Sequence, residues 1–152
     1  MNRQYYVITD GSAIGNPGPG GWAAVLVSGH LQWEISGACS WTTISEMELM
    51  AAIQALRSIP AGSKVNLCSD SDYLIRGMKH LATRWRNQRW RNRRGLPLQH
   101  QRLWRELLQL EKEIHVRWAW VRGHSGHRLQ DRADALAYTE AQKRFLALRC
   151  AA

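Results

Sequence analysis

Residues 5–21 read YYVITDGSAIGNPGPGG, an apolar run that ends in the acid Asp10 and breaks into a turn filled with glycine and proline. Tyr5, Tyr6, Val7 and Ile8 are strand formers, because ring and β-branched side chains suit a pleated, half-buried surface. Gly11, Gly15, Gly18, Gly20 and Gly21, with Pro17 and Pro19, ask for tight, non-helical backbone. Taken alone, the stretch is a hairpin strand carrying an exposed acid. Asp10 becomes a candidate for chemistry because three more acids, Glu48, Asp70 and Asp134, each fall where a core-facing position or the end of an element is expected.

Outward from this stretch, residues 22–27 and 31–41 read as two strands joined by the turn Ser28-Gly29-His30, so the chain opens as a three-strand antiparallel meander. The period then changes to that of a helix over 45–59, with Glu48, Ala51, Ala52, Ala55 and Ile59 on one side and Leu49, Ile53 and Leu56 on another. Pro60, Ala61 and Gly62 stop it. Residues 64–69 form a strand that ends at Asp70, and Ser71 opens a helix to about Lys79. Residues 80–99 interleave tryptophan and arginine irregularly. Helix returns over 101–113, with Leu103, Leu107, Leu108 and Leu110 as its apolar side. A strand over 115–121, a GHSGH loop and a helix over 130–148 close the chain. Strands alternating with helices after an antiparallel start indicate a mixed α/β sheet in one domain, residues 1–152.

At 152 residues the chain can bury a core without disulfides or metal staples. No apolar run is long enough to span a bilayer. The first ten residues lack a small-residue cleavage site, which makes the cytosol the expected compartment. Cys39, Cys68 and Cys150 are odd in number and scattered, so neither a disulfide framework nor a CxxC metal site is expected. The net charge of +9 is concentrated: residues 76–105 hold ten of the 21 Lys and Arg and none of the 12 Asp and Glu. A positive segment on an otherwise balanced chain points to a polyanionic partner.

Each of the other three acids has an ordinary structural explanation. Ser45-x-x-Glu48 could be a capping box, although Thr43-x-x-Glu46 offers the same box two residues earlier and would free Glu48. In either register Glu48 projects above Ala51, Ala52 and Ala55, and a carboxylate facing a sheet needs a cation or a shared metal. Asp70 could cap a helix, but it also follows a strand directly, where open α/β sheets place their ligands. Asp134 falls in the first turns of the last helix, where an acid complements the helix dipole. Four carboxylates with no nearby cysteine would suit hard cations such as Mg²⁺ or Mn²⁺ and not zinc.

The segments TDGSAIGNPGPGGW, TTISEMELMAA, SDSDYLIRG, WVRGHSGH and DRADALA, in this order and at these separations, resemble bacterial ribonuclease H of type one. The resemblance extends to about Leu146. It implies a ribonuclease H-like fold, a five-stranded mixed sheet flanked by helices, with an active site of Asp10, Glu48, Asp70 and Asp134. The implied activity is endonucleolytic hydrolysis of the RNA strand of RNA/DNA hybrids, with little sequence preference, leaving 5′-phosphate and 3′-hydroxyl ends. Two Mg²⁺ ions, with Mn²⁺ as a substitute, would ready a water for in-line attack and steady the leaving oxygen. By the family pattern Asp10 would bridge both ions, Glu48 and Asp70 would hold one, and Asp70 and Asp134 would reach the other. His124 would be a mobile accessory that handles protons or helps product leave, and His127 is given a structural role.

The same resemblance makes residues 80–99 a basic protrusion. Arg86, Arg89 and Arg91 would meet the DNA strand's phosphates, with Trp85 and Trp90 against its sugars. Asn16 and Thr43 match positions that contact backbone phosphate, and Gly11 would allow close approach to an RNA 2′-hydroxyl. One departure stands out: family members often carry two amide side chains where this chain has Ile44 and Ser45, which removes hydrogen bonds to the minor groove. The expected protein is a monomer without an obligate protein partner. Two rival readings fit the same residues. Another nuclease or recombinase of the same fold would differ in its response to a panel of substrates, and a non-catalytic nucleic-acid-binding module would bind without cutting.

Overall fold

The computed structural model describes residues 3–151; Met1, Asn2 and Ala152, the ends of the expected unit, lie outside the described residues. Five strands, β1 (Gln4–Ala13), β2 (Gly18–Ser28), β3 (Leu31–Thr42), β4 (Lys64–Ser69) and β5 (His115–Trp120), form a mixed sheet in the order β3-β2-β1-β4-β5. β1, β2 and β3 are antiparallel neighbours, whereas β4 joins β1 and β5 joins β4 in parallel. The chain therefore leaves β1 toward one edge, and after the crossover through α1 (Ile44–Arg57) it returns to the other side of β1. The pairing of β1 with β4 runs only to Ile8 and Cys68, so the two strands part just before Asp10 and Asp70. A crevice at the carboxyl ends of diverging parallel strands is where this class of sheet places its ligands.

Alternation along the strands sorts the core onto two faces. Tyr5, Val7, Ala24, Leu26, Val65 and Leu67 pack with Leu49, Ala52, Ile53, Ala55 and Leu56 of α1 and with Leu103, Trp104 and Leu107 of α4 (Gln101–Glu113). Ile8, Val25 and Cys68 face the opposite way, onto Ala133 of α5 (Arg128–Cys150). Each large aliphatic side chain buried this way stabilises the fold by about 1.5–3 kcal/mol. The fully buried Ala51, Ala52 and Ala55 let α1 lie low on the sheet, so a larger side chain at Ala52 would overpack the interface.

Three expectations are corrected. The glycines of 18–21 are not turn residues but part of β2, and only Gly15 in this stretch has a left-handed φ, +85°. Their small size serves close approach: a Cβ on Gly21 would lie 2.2 Å from the Ala137 carbonyl oxygen of α5. The helix opened by Ser71 does not stop near Lys79. α2 (Asp72–Arg76) runs through a wide π-turn (Gly77–Leu81) into α3 (Ala82–Asn87), because Leu74, Ile75, Met78 and Ala82 keep an apolar face on the core. The last helix begins two residues earlier than expected, at Arg128, with His127 Nδ1 accepting from the Gln130 amide at 3.2 Å as its cap.

The segment between α3 and α4 is held by its own backbone. Asn92 Oδ1 accepts from the amides of Arg94 and Leu96, at 2.9 and 3.0 Å, and the amide of Leu98 donates to the Trp90 carbonyl at 2.8 Å. Trp90 takes a left-handed φ of 59° and turns inward, 6% exposed, with the Arg105 guanidinium 5.4 Å above its ring. Its ring fastens this segment to α4, which leaves no face for the expected contact with sugars. Trp104, outside the leucine stripe read from the sequence, is the largest fully buried side chain and packs edge-to-face with Tyr73 and tilted against Trp85, with ring centroids 5.1 and 5.0 Å away.

Candidate active site

Three of the four acids converge. One carboxylate oxygen from each of Asp10, Glu48 and Asp70 lies within 4.8 Å of the others. Asp10 comes from β1 opposite Ala23, Glu48 from the second turn of α1, and Asp70 from the single residue between β4 and the Ser71 cap of α2. Asp134, half-buried in α5, stands outside that 4.8 Å group, but its charge raises the pKa of both Asp70 and Asp10.

The placement of Glu48 follows from the capping register. Thr43 caps α1, its hydroxyl oxygen accepting from the Glu46 amide at 3.2 Å, while Thr42 donates its hydroxyl to Glu46 Oε2 at 2.8 Å. Glu46 is thereby the residue spent on the helix end, and Glu48 is free to face the sheet. Asn16 Oδ1 accepts from the Ile44 amide at 3.0 Å and ties the glycine-proline turn to the same helix end. Gly11 completes the fit. A Cβ there would lie 2.5 Å from the Glu48 amide nitrogen, so only glycine lets α1 approach β1 closely enough to bring Glu48 beside Asp10.

The carboxyls are strained electrostatically. Burial, opposed by a hydrogen bond with Glu48 and reinforced by the charge of Asp70, pushes the Asp10 pKa from 3.8 up to about 7. Burial, followed by the charge of Asp10, raises Glu48 well above the usual carboxylate range, and burial followed by the charge of Asp134 raises Asp70. Glu48 Oε2 is buried without a hydrogen-bond partner. An orphaned carboxylate oxygen among two further acids is costly unless a cation neutralises the group. This donor set, all oxygen and three carboxylates, fits a divalent metal ion.

His124 lies exposed in the loop between β5 and α5, at a left-handed φ of 52°, and a positive charge on it lowers the Asp70 pKa, which puts it on the acid side of the molecule. Thr43 and the exposed Asn16 sit together at the start of α1, and Ile44, 40% exposed, is one turn before Glu48 on the same side of the helix. Arg86, Arg89 and Arg91 are exposed, and among the described residues none of them pairs with an acid. Trp85 is half-buried against Trp104.

Sequence reasoning missed two neighbours of Asp70. Trp120 Nε1 donates to the Asp70 carbonyl at 3.1 Å, and a Cβ on Gly123 would lie 2.5 Å from Asp70 Oδ2. The strand-end position of Trp120, paired with Ser69, was the available signal.

The model of the family described as RNase H matches residues 2–142. A protein named Ribonuclease H from Aeromonas salmonicida is 43% identical over 147 residues, covering 97% of this chain and 96% of that one. Among solved structures, LC9-RNase H1, described as a type 1 RNase H with the type 2 active-site motif, superposes with a TM-score of 0.84 at 27% identity, covering 95% of this chain and 74% of its own. LC11-RNase H1, solved in complex with an RNA/DNA hybrid, gives a TM-score of 0.69 at 20% identity over 93% of this chain and 99% of its own, a likeness of fold.

Proposed function

Because the chain belongs to the ribonuclease H family and is a nuclease of that class, we propose that it cuts the RNA strand of RNA/DNA hybrids endonucleolytically at the Asp10, Glu48 and Asp70 cluster. The observation that carries this reading is the convergence of the three carboxylates within 4.8 Å, with one Glu48 oxygen buried and unpartnered. Asp10, Glu48 and Asp70, joined by Asp134 from α5, would hold divalent cations, two during the reaction, with Mg²⁺ the natural choice and Mn²⁺ a substitute. Such ions supply Lewis-acid charge at the scissile phosphate.

The chain's own groups do the rest. Water adds across the bond between phosphorus and the 3′ oxygen, leaving a 5′-phosphate and a 3′-hydroxyl. His124, exposed on a loop flanked by glycines, handles the proton or helps product leave. The Thr43 hydroxyl and the Asn16 amide nitrogen donate to backbone phosphate beside the acids, and Gly11 keeps the floor open to a 2′-hydroxyl. Arg86, Arg89 and Arg91 take phosphates of the DNA strand, with the edge of Trp85 against a sugar. Trp90 has no part in this contact, since its ring is under Arg105. The protein acts as a monomer in the cytoplasm; among the described residues no helix is long and apolar enough to cross a membrane. A panel of labelled hybrid, duplex DNA, duplex RNA and junction substrates tests the reading: cutting confined to the RNA of the hybrid supports it, and preferential cutting of a junction or of duplex DNA overturns it.

A further inference from the structure

Asp70 is the least anchored of the three clustered acids by secondary structure. β4 ends at Ser69, α2 begins at Asp72 and Ser71 is its cap, so Asp70 belongs to no ladder, and its carbonyl has no sheet partner. A peptide between a strand and a helix can rotate, and rotation would swing the carboxylate away from Asp10 and Glu48. The end of β5 and the loop after it meet it on two sides. The Trp120 indole, 52% exposed and so not required by the core, donates to the Asp70 carbonyl at 3.1 Å. Val121 donates its amide to the Ser69 carbonyl at 2.9 Å, which extends the β4–β5 pairing to the residue before Asp70. Three residues after the indole, Gly123 leaves its side-chain space to the carboxylate, since a Cβ there would lie 2.5 Å from Oδ2 and 3.4 Å from Cγ. Gly123 does not have a left-handed φ, so conformational freedom is not the reason for glycine at this position.

We propose that the end of β5 and the loop that follows it form a clamp that aims the Asp70 carboxylate: Trp120 fixes the Asp70 carbonyl by its indole N–H, and Gly123 fixes the carboxylate's direction by leaving it room. Trp120 and Gly123 are positioning residues, acting through Asp70. Nothing in the clamp touches the basic segment between α3 and α4, so its loss changes turnover and ion binding without changing how hybrid is held. The inference rests on the reading of Asp10, Glu48 and Asp70 as metal-holding acids, and the test separates the two.

The experiment uses the full chain without nucleic acid and titrates it with Mn²⁺ by calorimetry, comparing the parent with Trp120→Phe, Gly123→Ala and Asp70→Ala. Trp120→Phe keeps an aromatic ring and removes one donor, and it weakens Mn²⁺ binding about three- to tenfold, the usual effect of one lost hydrogen bond. Gly123→Ala weakens it more, by turning the carboxylate itself. In cleavage assays both variants lower kcat and leave the KM for hybrid unchanged. Thermal unfolding supplies a readout independent of any ion: Gly123→Ala shifts the midpoint less favourably in the parent than in the Asp70→Ala background, because only the parent has the carboxylate that the new methyl must displace. Equal midpoint shifts in both backgrounds, or parental Mn²⁺ affinity in Trp120→Phe and Gly123→Ala beside a loss in Asp70→Ala, overturn the clamp alone. Parental Mn²⁺ affinity in Asp70→Ala overturns the metal reading and the clamp with it.

Discussion

Replacing Asp10 by Asn tests the electrostatics of the acid cluster without any substrate. The Asp10 carboxyl is lifted from 3.8 to about 7, chiefly by burial against the opposing hydrogen bond to Glu48, with the charge of Asp70 adding to the rise. Because the folded-state value lies above the unfolded one, the carboxyl's contribution to stability is complete below about pH 4 and is lost as pH rises through about 7. A rise of about three units, at about 1.4 kcal/mol each, sets a ceiling of about 4 kcal/mol on that loss. Asn keeps the size and polarity but carries no charge, and it also relieves Glu48 and Asp70 of a neighbour that raises the former. In EDTA the variant is therefore more stable than the parent by about 2–4 kcal/mol at about pH 8, or roughly 4–16 °C for a chain of this length, and the gain shrinks toward zero at about pH 4. Calorimetric unfolding at a series of pH values measures it directly. Saturating Mg²⁺ narrows the gap, because an ion that binds only the folded parent stabilises it. A variant no more stable than the parent at about pH 8 in EDTA would refute the claim that burial, reinforced by the neighbouring charges, disfavours the ionised Asp10 carboxyl.

Four other outcomes are expected. Glu48→Gln lowers kcat more than His124→Ala does at saturating Mg²⁺, because the first removes a metal-holding charge and the second an accessory; steady-state kinetics rank them. Changing Arg86, Arg89 and Arg91 together to Ala weakens hybrid binding at low salt and flattens the dependence of log affinity on log salt by up to about 0.9 per lost phosphate contact, measured by filter binding or anisotropy. Ile44→Asn with Ser45→Asn restores amides at the start of α1 and lowers the KM for hybrid with kcat unchanged, which kinetics on hybrid resolve. Trp104→Ala, at a fully buried site between Tyr73 and Trp85, costs about 3–5 kcal/mol of stability by urea unfolding.

The sheet was legible because its strands alternate and its helices repeat at 3.6; α4 begins and ends at the residues its apolar period marked. The acids were legible only in combination, since each alone has a capping or dipole explanation. What decided Glu48 was three-dimensional: Thr43, Thr42 and Asn16 fix the start of α1, and Gly11 admits it to the sheet. The glycines of 18–21 were misread as turn residues because composition does not distinguish freedom of backbone from closeness of a neighbour such as Ala137. The continuation of helix past Lys79 escaped notice because the π-turn shifts the period in mid-run, and Trp90 because a tryptophan among arginines looks like a surface group until Arg105 is found over it. Trp120 gave only its strand-end position and Gly123 no local sign, since their partner Asp70 lies just past the end of β4, 50 residues before Trp120.

The most direct test of the central claim is a gel assay on a hybrid whose RNA strand is labelled, with parent and Asp10→Asn each in Mg²⁺, Mn²⁺ and EDTA. The parent should cut the RNA strand only when a divalent ion is present, and Asp10→Asn should bind the hybrid with parental affinity and fail to cut it. Cleavage by Asp10→Asn within about tenfold of the parent, or undiminished cutting by the parent in EDTA, would contradict the assignment of these acids to metal-dependent hydrolysis.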